Sequence, residues 1–177
     1  MKVTLAQINP IVGDIEGNIG LMKAAIATAE QQESDLIIFS ECVLTGYPPR
    51  DLLGKPWFLK QITKGIAHLL DLSRSYSGLG ILFGTPYPEE SGDLSNAALL
   101  YDTGECVAII RKTCLPIYDV FDEPRYFTPA DDTDVIEEEP LAINFRRAGE
   151  NGKERIAHAR SWSGLGLGQF NGYLTSI

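Results

Sequence analysis

The run Leu36-Ile37-Ile38-Phe39 constrains this chain most: it is apolar at every position and closed by Ser40-Glu41. A strand with one wet face alternates apolar and polar residues. An unbroken apolar run bounded by turn residues describes a strand covered on both sides, as in α/β sheets. The flanking segments agree. Val3-Thr4-Leu5-Ala6-Gln7-Ile8 reads as a strand ended by Pro10 and Gly13. Ile19, Met22, Ala25, Ile26 and Ala29 recur at three- and four-residue steps, predicting a helix from about residue 18 to 31 with Asn18 as its N-cap.

Gly46, Pro48 and Pro49 make the next segment a loop. Pro56 suits the first turn of a second helix, which carries Phe58, Ile62, Ile66, Leu69 and Leu70 and runs to about Tyr76. Residues 80–84 read as a third strand. Residues 96–101 and 106–111 read as a hairpin with Asp102-Thr103-Gly104-Glu105 as its turn. The order β-α-β-α-β-β-β is that of an α/β chain with a mixed sheet.

Composition narrows the function. The net charge of −9 argues against a nucleic-acid partner. No apolar run approaches the roughly 20 residues that span a bilayer. The first residues lack the apolar core of a signal peptide, so the expected setting is cytoplasmic, with no membrane partner. Cys42, Cys106 and Cys114 are an odd, widely spaced set without the C-x-x-C pairing of a zinc site, so no disulfide framework and no metal is expected. With His68 and His158 as the only histidines, a Ser-His-Asp triad is poorly supported. His68 falls in the second helical pattern, at the surface or the core edge.

Two segments carry chemistry. Phe39-Ser40-Glu41 puts a carboxylate at the end of an apolar strand. Ile110-Arg111-Lys112 puts an ammonium at the end of another. Strand ends form the rim where α/β sheets hold ligands. There a Glu can act as general base. A Lys can stabilise the oxyanion of a tetrahedral intermediate, a contribution worth on the order of 10²–10³ in rate. The pair suits acyl transfer from an amide, given a thiol to attack.

These segments also resemble a known family. Gly46-Tyr47-Pro48-Pro49-Arg50-Asp51-Leu52-Leu53 and Leu115-Pro116-Ile117-Tyr118-Asp119-Val120-Phe121-Asp122-Glu123-Pro124-Arg125-Tyr126-Phe127 stand beside Leu5–Pro10, Gly13–Asn18 and Phe83-Gly84-Thr85-Pro86. Over residues 2–136 the chain resembles the nitrilase, or carbon–nitrogen hydrolase, superfamily. Within it, the chain is most similar to the N-terminal glutaminase domain of glutamine-dependent NAD+ synthetases. The resemblance implies an α-β-β-α sandwich, here partial and truncated. It implies Glu41 as general base, Lys112 as catalytic lysine and Glu123 as a second glutamate beside them. Tyr47 and Tyr118 would line the pocket for L-glutamine.

The resemblance also implies a cysteine nucleophile in a Cys-Glu-Asp type motif beyond the lysine segment, and no cysteine follows Cys114 here. Cys42 adjoins Glu41, so on a strand it would face the opposite way. Cys114 lies in a loop, and covalent catalysis demands closer placement than a loop residue is expected to provide. Cys106 is expected in the core. Composition changes near Glu137-Glu138-Glu139-Pro140. Residues 1–140 hold 10 basic and 22 acidic side chains, and residues 141–177 hold 5 and 2. The expected organisation is a partial glutaminase domain over 1–140 and an atypical tail over 141–177. Residues 141–145 could form a strand, and a shift of reading frame near Arg146–Arg147 is one account of the rest. Gly164–Gly168 reads as linker.

The leading expectation is therefore an ammonia-supplying glutamine amidohydrolase domain left inactive without its nucleophile. ATP and Mg²⁺ would belong to an absent synthetase domain, leaving no cofactor in this chain. The rival reading is a non-catalytic half-domain that forms homo-oligomers or binds a full-length synthetase. A nitrilase-type amidase with another substrate fits the Tyr47–Leu53 loop less well.

Overall fold

The computed structural model describes residues 1–118 and 121–130, together with the strand backbones at 145–148 and 154–157. Strand β1 (Val3–Ala6) leads to helix α1 (Ile15–Gln31), β2 (Leu36–Phe39), a 3₁₀ turn (Arg50–Gly54), helix α2 (Pro56–Ser73) and the strands β3 (Gly80–Pro88), β4 (Leu94–Asp102) and β5 (Glu105–Arg111). These five strands form one sheet in the order β1-β2-β3-β4-β5. The β1–β2 and β2–β3 pairs are parallel, and β3–β4 and β4–β5 are antiparallel. The mixed sheet expected from the sequence is present.

Both helices lie on one face of the sheet. Right-handed crossovers that step the same way along a sheet place their helices on the same side. Met22, Ile26 and Ala29 of α1 and Phe58, Ile62 and Leu69 of α2 join Ile37, Phe39, Ile81, Phe83, Leu99 and Tyr101 in the main core. The alternate strand residues Leu36, Ile38, Leu82 and Leu100 form a second, smaller cluster on the other face. The β1 residues in register with Leu36 and Ile38 are Val3 and Leu5, and both are exposed.

Helix α1 begins earlier than expected, and Asn18 is not its N-cap. Asp14 caps it instead, its Oδ1 accepting from Gly17 N at 3.0 Å. Asn18 is buried in the first turn as a staple. Its Oδ1 accepts from Ile11 N (2.7 Å), and its Nδ2 donates to Ile11 O (2.9 Å) and Leu44 O (3.1 Å). It thereby ties the loop after β1 to the loop after β2. Helix α2 starts at Pro56 as expected and ends at Ser73, short of Tyr76. His68 is exposed on it. Strands β3 and β4 run longer than the apolar pattern showed, because Thr85–Pro88 and Leu94-Ser95 keep the ladder going.

Cys106 is exposed rather than in the core. Strand β5 is the outer strand of the sheet, and Cys106 sits at its start beside the hairpin turn. The tail holds an antiparallel pair the sequence did not reveal, β6 (Phe145–Ala148) with β7 (Glu154–Ala157). Of the strand expected at 141–145, residues 141–144 lie outside the described residues, as does the Gly164–Gly168 run.

Candidate active site

The sheet's topology brings Glu41 and Lys112 to one rim. Strand β5 is antiparallel to β4, which is antiparallel to β3, so β5 runs in the direction of β3 and β2. The carboxyl ends of β2 and β5 therefore point the same way. Glu41 follows β2 by two residues, and Lys112 directly follows β5. Because β4 runs opposite, its first residues, including Asn96, reach the same rim.

There the Lys112 ammonium sits between two carboxylates. Its Nζ donates to Glu41 Oε1 at 2.9 Å and to Glu123 Oε1 at 3.1 Å. Glu123 Oε2 lies 3.0 Å from the same Nζ in ion-pair contact, with no donor aligned on it for a hydrogen bond. The side chains of Lys112, Glu123 and Glu41 are 7%, 4% and 21% exposed, so water screens this cluster poorly. Burial alone would lower the Lys112 pKa. The charge and hydrogen bond of Glu41, with those of Glu123, outweigh it and hold the ammonium above the ordinary lysine range.

Local structure fixes each participant. Glu123 opens a short 3₁₀ turn (Glu123–Arg125). Its N–H donates to Pro116 O, and its carbonyl accepts from Tyr126 N and Phe127 N. Thr128 N then bonds Leu94 O, and Ala130 N bonds Lys112 O, tying the segment back to β4 and β5. Tyr47 donates its hydroxyl to Glu123 Oε1 at 2.8 Å. Burial, then the Glu123 hydrogen bond and charge, raise the Tyr47 pKa, so the phenol stays a donor. The Tyr47 ring meets Phe121 (6.1 Å between centroids), and Phe121 meets Tyr118 edge-on (5.4 Å). Tyr118 is 68% exposed and belongs to the outer end of this aromatic row.

Sequence reasoning missed Asn96. Buried to 3% exposure, it donates from Nδ2 to Glu41 Oε1 at 2.5 Å. An Asn opening an apolar strand was the available signal. Cys42 also departs from expectation. Residues 41–45 are a turn rather than strand, and Cys42 has φ +50°, so alternation does not apply. Its thiol lies 3.7 Å from Asn96 Oδ1, on the amide that holds Glu41. Burial, then the charges of Glu41 and Glu123, push this thiol far above its usual pKa. That keeps it protonated and a poor nucleophile. Cys114 is exposed. Among the described residues, no cluster of His, Cys, Asp and Glu is arranged to hold a metal ion, and no helix is long and apolar enough to cross a membrane.

Comparisons with known proteins identify the family and the fold. The profile of the carbon–nitrogen hydrolase family matches residues 2–151. The chain is 40% identical over 136 residues to the glutamine-dependent NAD+ synthetase of Thermotoga maritima, covering 77% of this chain and 23% of that protein. It is 39% identical over 145 residues to the Aquifex aeolicus synthetase, covering 82% and 25%. Among solved structures, the glutamine-dependent NAD+ synthetase of Acinetobacter baumannii superposes with a TM-score of 0.68 at 36% identity, covering 73% of this chain and 24% of that one. An amidase from Nesterenkonia sp. superposes at 0.65 and 25% identity, covering 74% and 48%. The chain thus spans about a quarter of the length of the synthetases it matches.

Proposed function

The chain belongs to the carbon–nitrogen hydrolase family, and on that premise we propose that its rim site binds the side-chain amide of L-glutamine. In this reading it corresponds to part of the ammonia-supplying domain of a glutamine-dependent NAD+ synthetase. The observation that carries it is the Lys112 ammonium held between Glu41 and Glu123 where β2 and β5 end. Lys112 stabilises negative charge on the amide oxygen, Glu41 accepts a proton, and Glu123 holds Lys112 in place. Tyr47 acts through Glu123, and Tyr118 borders the entrance. ATP and Mg²⁺ would serve a synthetase domain outside these residues.

Turnover is another matter. Hydrolysis through a thioester needs a thiolate. Within residues 1–177 the Cys42 thiol is buried and protonated, Cys106 lies at the start of β5, away from Lys112 at its end, and Cys114 is exposed in a loop. We therefore expect glutamine binding without appreciable ammonia release. Calorimetric titration with glutamine, beside an ammonia assay on the protein and on its Cys114→Ala variant, tests this. Absence of binding sinks the ligand. Ammonia release lost specifically in Cys114→Ala would assign the nucleophile to that loop.

A second reading, association with another copy or with a full-length synthetase, is favoured by the exposed Val3 and Leu5 on the face of the sheet opposite α1 and α2. Sedimentation of the protein alone, and mixed with a synthetase, tests it.

A further inference from the structure

We propose that Asn96 is a positioning residue, which fixes the Glu41 carboxylate on Lys112 and turns its free oxygen toward the substrate. The meaning of this arrangement for catalysis rests on the reading of the site as an amide-binding one. The geometry does not. Asn96 contributes three polar contacts, two to the turn after β2 and one to the residue that follows β5. Its Nδ2 donates to Glu41 Oε1 at 2.5 Å. Its Oδ1 accepts from the Cys42 thiol at 3.7 Å. Its backbone carbonyl accepts from Lys112 N at 2.8 Å.

The donors on Glu41 explain the consequence. Asn96 Nδ2 and Lys112 Nζ both address the same oxygen, Oε1. A carboxylate oxygen has two lone-pair directions, and two donors occupy them. The carboxylate is then locked in rotation, leaving Oε2 to take a proton. Lys112 alone would not do this, because it is a point charge shared with Glu123, without the fixed plane of an amide. A planar amide on a strand cannot turn that way. The Cys42 thiol completes the lock: an S–H donor facing Oδ1 disfavours the flipped amide, which would set two donors against each other. Glu41 and Cys42 from the turn after β2, Lys112 from the end of β5, Glu123 from the 3₁₀ turn and Tyr47 from the preceding loop are the titratable groups around this point.

The test uses side-chain NMR on the whole protein without ligand. The Asn96 amide protons are expected to exchange slowly with water and to shift on Glu41→Ala. Asn96→Leu removes the donor at nearly constant volume. Glu41 then loosens from Lys112, and the pH at which Lys112 titrates falls. A leucine variant with the parent's Lys112 titration, or Asn96 amide signals indifferent to Glu41→Ala, overturns the proposal. Should Asn96→Leu fail to fold, the amide signals of the parent and of Glu41→Ala decide alone. Glutamine titrated into the parent protein is read separately. Intact Asn96–Glu41 coupling without glutamine binding refutes the ligand and leaves the positioning role standing.

Discussion

Gly84 and Glu41 meet backbone to backbone: a Cβ added to Gly84 would stand 2.7 Å from Glu41 Cα and 2.8 Å from Cys42 N. No side chain can occupy that space. Gly84 N also donates to Ser40 O at 3.3 Å, so the segment leaving β2 lies flush on β3. That closeness lets the Glu41 side chain reach across to Asn96 on β4 and Lys112 beyond β5.

Gly84→Ala should therefore act on stability and site together. The clash is with backbone, which cannot swing aside, and overpacking of this kind costs about 1–3 kcal/mol. Denaturant unfolding reads the loss. NMR of Lys112 should show a weakened link to Glu41 even in the folded variant. An alanine variant with parental stability would contradict the contact.

Replacing Lys112 with methionine leaves two carboxylates facing each other with their shared cation gone. Removing one partner of a buried charge cluster costs about 3–5 kcal/mol, and the partial exposure of Glu41 places this case near the lower end. Denaturant unfolding of the variant and the parent at one pH measures the loss.

Cys42 gives a prediction at alkaline pH. Its thiol pKa is raised in the folded state, and an unfolded thiol ionises near ~8.5. The folded protein then holds a proton that the unfolded chain releases. This contribution is complete below the unfolded value and is lost as pH climbs above it. Lys112, Tyr47 and Tyr101 are raised in the same sense, and their losses begin higher, near ~10. Cys42→Ala should lessen the fall in stability between about pH 8.5 and 10, with the raised Cys106 thiol keeping part of it, and leave the fall above about pH 10. Chemical denaturation at stepped pH measures both.

Tyr47→Phe deletes the hydroxyl that donates to Glu123 Oε1 while keeping the ring on Phe121. A hydrogen bond to a charged group contributes about 1.5–3 kcal/mol. A loss near the lower figure is expected, since Lys112 still reaches that oxygen. Thermal unfolding of the two proteins, compared at one pH, checks it.

How much of this was legible in the sequence depended on range. The apolar run Leu36–Phe39 and the spacing of Met22, Ile26 and Ala29 are local patterns, and the elements they announced formed. Glu41, Lys112 and Glu123 could be singled out because strand ends and the family motifs marked them. Asn96 could not, because its partners lie 55 residues away at Glu41 and 54 at Cys42, and only the antiparallel run of β4 brings them near. Asn18 misled for the opposite reason. It has good capping chemistry, but Asp14 four residues earlier took the cap, and Asn18 served Ile11 and Leu44 instead. Cys106 was misjudged because hydrophobicity does not say which strand stands at the margin of a sheet.

The spatial order of the five strands repeats their order along the chain. Each strand can therefore join a margin that the preceding one has just left, without threading past an earlier segment. During synthesis, the sheet can grow outward from its N-terminal strand. Glu41 emerges early in that sequence, and its counter-charge arrives only once β5 is laid down. The electrostatic balance of the pocket is thus set only when β5 completes the five-stranded sheet, and a ribosome halted before residue 112 would release a carboxylate still waiting for its ammonium.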